Sequence, residues 1–143
     1  MRFLLPASIL LAGCTPADED NQAPPHGETP AAEPTVELEG HWRVAGLDGE
    51  PIDAPYAIAL VADQESIWWQ PECALQYRDY SVSGSRFSAP MRSNANLEVC
   101  DIGFPEELEQ IWSALEAADH IERTPENGVQ ISGNGRSVTL FSQ

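Results

Sequence analysis

The sequence predicts an α+β domain, and three observations carry that prediction. Beyond residue 38 most of the chain consists of short runs in which apolar and polar residues alternate, bounded by Gly, Pro, Asn or Asp, which is the pattern of half-buried strands. One stretch, Gly103 to Asp119, changes to three-and-four spacing. The chain then closes on two alternating runs joined at Gly133, Asn134 and Gly135, a C-terminal β-hairpin. The 143 residues leave room for one such domain and a tail.

The first element is not part of the domain. Arg2 supplies a positive charge, Phe3 to Leu11 form an apolar run of about nine residues, and small residues follow, the layout of a secretory leader. The run holds Pro6 and falls well short of the roughly twenty apolar residues of a spanning helix. Leu11, Ala12, Gly13 and Cys14 then stand in the order of a bacterial lipobox. An ordinary secretory leader would leave Cys14 incidental, but the close resemblance to the lipoprotein pattern implies cleavage after residue 13 and lipid on the Cys14 sulfur and amino group. Several acyl chains, at about 0.8 kcal/mol per buried methylene, hold a protein on a membrane durably. Thr15 stands where inner-membrane retention would favour aspartate, which points to the periplasmic side of the outer membrane rather than the inner.

Residues 14–37 form the second element. Pro16, Pro24, Pro25, Pro30 and Pro34 alternate with Asp18, Glu19, Asp20, Glu28, Glu33 and Glu37, with no aromatic residue. Such a segment cannot bury enough apolar surface to offset ordering entropy and is expected to be a disordered spacer. Extended at about 3.1 Å per residue, it reaches on the order of 70 Å. Asp18, Glu19 and Asp20 lack the glycine turn and distal acid of a calcium loop, so no metal is expected there.

The domain, 38–143, begins with Trp42 and Val44 alternating between His41 and Leu47, followed by a turn at Asp48 and Gly49. From Tyr56 to Val61 both faces are apolar, as in a central strand. Ser66 to Gln70 places Ile67 and Trp69 on one face and Trp68 on the other. Trp68 and Trp69 are the candidate binding surface: one indole lies partly outside the core, either as an interaction anchor or as a cap on the rim of the sheet. Tyr77, Tyr80 and Val82 precede a turn at Ser83, Gly84 and Ser85, and Phe87 opens another strand. A further strand is expected at Leu97 to Cys100.

Between Gly103 and Asp119, Phe104, Leu108, Ile111, Trp112, Leu115 and Ala118 fall on one stripe of a helix. Pro105 suits its first turn, Glu106 and Glu107 complement its dipole, and His120 stands by its terminal carbonyls. Asn127 and Gly128 turn the chain into the closing hairpin.

The formal net charge is −16, all seven basic residues are arginine, and loss of Arg2 with the leader adds one more negative charge. Phosphates would be repelled, which excludes nucleic acid and a polybasic grip on anionic lipid. Of three cysteines, lipid on Cys14 leaves Cys73 and Cys100. In an oxidising compartment these form a disulfide, contributing roughly 3.5 kcal/mol for a loop of about 28 residues, or they remain two buried thiols.

The marks in this order resemble the META domain of HslJ-like envelope proteins. They are Trp42 in the first strand, Gly49 after it, Cys73 with Tyr80 seven residues on, Cys100 before the helix, and a terminal hairpin ending in Leu140 and Phe141. The chain departs from that family at Glu72, Cys73 and Ala74, where Gly, Cys, Asn is usual, and at Asn96, where threonine is usual. The resemblance implies a curved antiparallel sheet, a partial barrel, wrapped against one helix. It also implies a non-enzymatic protein of envelope stress or drug tolerance, often lipid-anchored.

No catalytic residues, metal ligands or cofactor are expected. Gly133 to Gly135 lacks the lysine and the strand-to-helix setting of a phosphate loop, and of the three histidines, His26, His41 and His120, only two could meet. The function expected is therefore a monomeric, non-catalytic, lipid-anchored envelope protein with a binding or structural role. Its partner would be a protein, or an apolar small ligand in a cavity lined by Trp42, Trp69 or Trp112. The alternative is a periplasmic inhibitor of a cationic enzyme such as lysozyme, which an acidic domain suits electrostatically.

Overall fold

In the computed structural model, residues 35–70, 72, 76–91 and 103–143 are described. The expected leader, the expected lipidation site Cys14, the expected tether as far as residue 34, Cys73, Cys100 and the strand expected at Leu97 to Cys100 lie outside them.

Ten strands form one antiparallel sheet. They are β1 (Gly40–Leu47), β2 (Glu50–Pro51), β3 (Ala59–Ala62), β4 (Ser66–Trp69), β5 (Tyr77–Asp79), β6 (Ser81–Ser83), β7 (Arg86–Ser88), β8 (His120–Arg123), β9 (Val129–Gly133) and β10 (Arg136–Ser142). The order across the sheet is β5-β4-β3-β1-β10-β9-β8-β7-β6, with β2 beside β1. Its two edges, β5 and β6, are consecutive in the chain and separated by Tyr80 alone. With about 3.8 Å between successive Cα atoms, that linkage forces the edges together, so the sheet curls into a nearly closed barrel. Tyr80 forms the joint: its N–H donates to the Glu65 carbonyl at 2.8 Å, its hydroxyl donates to the Asp63 carbonyl, and its ring stacks on Phe87.

Alternation along each strand places one set of side chains inside. Trp42, Val44, Leu60, Ile67, Trp69, Val129, Ile131, Val138 and Leu140 are all buried. The α-helix among the described residues, α1 (Glu107–Ala117), lays Leu108, Ile111, Trp112, Ala114 and Leu115 into that core and packs on β9 and β10. Each of the larger of these side chains contributes about 1.5–3 kcal/mol by leaving water. The curved antiparallel sheet, the helix packed on it and the closing hairpin agree with the fold class expected, and β3 is a central strand.

The differences from the expected elements are local. The helix is shorter than Gly103 to Asp119, and Phe104, expected on its buried stripe, precedes it and is 53 % exposed. The strand expected from Tyr56 starts at Ala59, leaving Tyr56 55 % exposed in a loop held by Pro55. His120 does not cap the helix. It opens β8, paired with Ser132 and Arg86, and the Ala117 carbonyl instead accepts from Asn134 Nδ2 at 2.8 Å. Asn134 and Gly135 both take positive φ, 51° and 78°, which matches the two-residue turn to the twist of β9 and β10. Gly133 fits because the chain leaving the helix crosses it: an added Cβ would lie 2.6 Å from the Asp119 nitrogen.

The Asp48–Gly49 turn follows the same rule, with φ of 54° and 85°. Asp48 Oδ1 and Oδ2 each accept from Arg136 Nε at 2.9 Å, and Oδ1 also accepts from the Ser137 amide. Those bonds, Arg136 first, hold the Asp48 carboxyl below its ordinary 3.8.

Ahead of β1, residues 35–39 form a strap. Val36 and Leu38 are buried in the core, 7 % and 1 % exposed, while Thr35, Glu37 and Glu39 face out. Trp42 Nε1 donates to the Leu38 carbonyl at 2.6 Å, fastening the strap to β1. The domain boundary expected at 38 falls inside this strap, because one apolar residue among acids and prolines still docks when a core is there to receive it. All described residues belong to one compact unit, Ala32–Gln143.

Candidate functional site

The described residues that combine chemistry and access lie where β5 meets α1. The register Ile67↔Arg78 between β4 and β5 turns Arg78 to the inner face, where it is 4 % exposed. A buried guanidinium is costly unless paired. Its Nε lies 2.5 Å from Glu116 Oε1, its Nη1 donates to the Tyr77 carbonyl at 2.8 Å, and its carbon sits 4.8 Å from the centre of the Trp112 ring. Trp112 Nε1 donates in turn to Gln76 Oε1 at 2.5 Å. Helical spacing explains this convergence: Trp112 and Glu116 are four apart and share a face.

Above this floor opens a recess of about 350 Å³. Its rim carries two exposed apolar side chains, Met91 at 59 % and Phe104 at 53 %, and the polar residues Glu109 and Ser113. Among the described residues the floor is a mutually bonded set in which Arg78 pairs with Glu116, and the rim is apolar and acidic. Such a recess can hold one side chain or a small ligand, at the lower end of the size of ligand sites.

The expected binding pair divides between the faces of β4. Trp69 is buried, 6 % exposed, opposite Leu60. Trp68 is the partly exposed indole, in register with Val61 and Tyr77 on the outer face. Its ring stacks on Tyr77 at 5.1 Å and 7° between planes, so its faces turn along the ladder towards neighbouring strands. Trp42 is enclosed in the core, and Trp112 alone of the three tryptophans considered for a ligand cavity borders the recess. His41 on β1 and His120 on β8 have β10 and β9 between them, and at about 4.8 Å per strand spacing they do not meet. His120 Nε2 lies instead 3.7 Å from Glu122. Among the described residues no group of three or more His, Cys, Asp or Glu is placed to hold a metal ion, and no helix is long and apolar enough to cross a membrane.

Arg78, Gln76 and Glu116 are not among the residues that pattern reasoning singles out. Arg78 sits between two tyrosine-bearing positions whose spacing, Tyr77 to Tyr80, is odd for a strand. That irregularity marks the corner where the chain leaves one sheet edge for the other, and it is the one sequence signal that could have found the site.

Among the described residues, fold and site together define a class: a small, nearly closed antiparallel barrel with a packed helix and a recess between them. Compared with protein-family models, with curated proteins and with solved structures, the chain has no match.

Proposed function

We propose that this chain is a lipid-anchored protein of the bacterial cell envelope, whose barrel serves by binding or support rather than by catalysis. Acylated Cys14 holds it on the periplasmic side, at the outer membrane, and a Cys73–Cys100 bridge braces the domain. The observation that carries the reading is Leu11, Ala12, Gly13, Cys14 directly after the apolar run and before the acidic, proline-rich tether. The resemblance to the META domain points the same way. A recess with an apolar rim supports a binding role, since exposed apolar side chains gathered at one concavity are what partners cover.

Cell fractionation tests the anchor. The native chain is expected with membranes, released by detergent but not by salt, and Cys14→Ser is expected in the soluble fraction. A Ser variant that still pellets with membranes would refute the anchor.

The acids on the exposed side of α1 favour one second reading, an inhibitor of a cationic enzyme such as lysozyme. It requires that stoichiometric amounts of the chain suppress turnover, and that salt relieve the suppression. Unchanged turnover at equal concentrations disposes of it.

A further inference from the structure

Three exposed large apolar side chains occur among the described residues, and two of them, Met91 and Phe104, stand on the rim of the recess between β5 and α1. Among the described residues the charge around them is unbalanced. At the floor, Arg78 is matched by Glu116 through Oε1. Beyond that pair, Glu109 lines the same recess, and α1, Glu107–Ala117, carries no basic residue. Across the whole chain the balance is −16. An anion is therefore repelled, and a purely apolar occupant would leave the carboxylates beside it without water.

The group that satisfies both rim and acids has an apolar stem and a flat cation. We propose that the recess receives an arginine side chain presented by a basic protein partner, with its methylenes against Met91 and Phe104 and its guanidinium between Glu109 and Glu116. Arginine fits better than lysine because a planar guanidinium stacks on a ring and bonds a carboxylate with two parallel N–H groups. The fold already uses this chemistry from within: Arg78 lies over Trp112 and bonds Glu116 in the same wall. A volume of about 350 Å³ suits one such side chain. An arginine seated in a pocket and shielded from water is a frequent anchor of an interface hot spot. The inference rests on the domain being a binding module and is independent of the anchor.

The test is titration of the full chain with a labelled oligoarginine peptide, read by fluorescence anisotropy, beside an oligolysine peptide and an uncharged oligocitrulline peptide of equal length. Oligoarginine is expected to bind several-fold more tightly than oligolysine, and oligocitrulline not at all. Glu109→Gln and Phe104→Ala, both exposed positions, are each expected to weaken oligoarginine about five- to tenfold, with urea midpoints unchanged. Glu37→Gln, an equal change of charge on the strap, is expected to leave it as it was. Equal weakening by Glu37→Gln and Glu109→Gln would reduce the effect to net charge and overturn the site. So would undiminished binding by Phe104→Ala, or binding of oligocitrulline as tight as that of oligoarginine. Failure of the anchor would appear in fractionation and leave these titrations untouched.

Discussion

Trp42 and Trp112 are buried to nearly the same degree, 4 % and 3 % exposed, and each indole N–H finds an acceptor. The acceptors differ. Trp42 bonds a backbone carbonyl four residues back, at Leu38, so its partner is held by the strap that it fastens. Trp112 bonds the Gln76 side chain, 36 residues away, and shares its ring with a guanidinium beside an open recess. A tryptophan bonded to nearby backbone closes a core, whereas one bonded to side chains from another element makes a wall whose polar groups can rearrange. The second arrangement is the one that leaves room for a partner.

The largest expected effect separates the two rings directly. Trp42→Ala should cost near the upper end of about 3–5 kcal/mol, and Trp112→Ala near the lower end. Water entering the recess can solvate Gln76 and Arg78, whereas nothing replaces the Trp42 ring in the core. Urea unfolding of both variants checks this, and equal losses would break the comparison.

Next comes the pair beside Trp112. Glu116→Gln removes one carboxylate from beside the buried guanidinium and should cost about 1–3 kcal/mol, less than a fully buried pair because Glu116 is partly exposed. The double variant Arg78→Met, Glu116→Gln should recover much of that loss. A double variant less stable than Glu116→Gln alone would show that the arginine holds the wall for other reasons.

A smaller effect sharpens the Trp42 side. Val36→Ala removes two methyl groups from the strap and should lower stability by about 1–2 kcal/mol, while oligoarginine binding stays unchanged. Loss of that binding would mean that strap and recess are coupled.

The smallest effect is seen in alkali. Burial, then the charges of Asp63 and Glu39, raise the Tyr80 hydroxyl above its ordinary 10.0. The folded chain thus keeps a proton that the unfolded chain gives up. The contribution is fully present below pH 10.0 and is lost as pH rises above it. Urea midpoints should fall above that pH in the native chain and less steeply in Tyr80→Phe, whereas Trp112→Phe should leave the alkaline slope as it is.

Much of the fold was legible because its cues are local. Alternation placed Trp42 and Val44 together and Ile67 with Trp69 opposite Trp68, and three-and-four spacing placed Leu108, Ile111, Trp112 and Leu115 on the helix stripe. Asp48–Gly49 and Asn134–Gly135 declared their turns through residues that tolerate positive φ. Misjudged elements failed where a contact decided the outcome. Phe104 obeys the helical period but lies before the first turn, and Val36 reads as tether until the core beneath it is considered. The recess was not legible, because its floor depends on the register of β4 with β5 and on a helix some forty residues away along the chain.

By itself the sequence determined most of the strands and turns, the existence of the helix and the main part of its buried stripe, since period and turn chemistry act over a few residues. The tertiary structure alone decided that β5 and β6 become the two edges of one curled sheet, that Arg78 pairs with Glu116 across Trp112, and that Met91 and Phe104 meet on one rim. Those outcomes depend on distances between residues remote in the chain, which are set only when the sheet curls around the helix and its apolar surface leaves water.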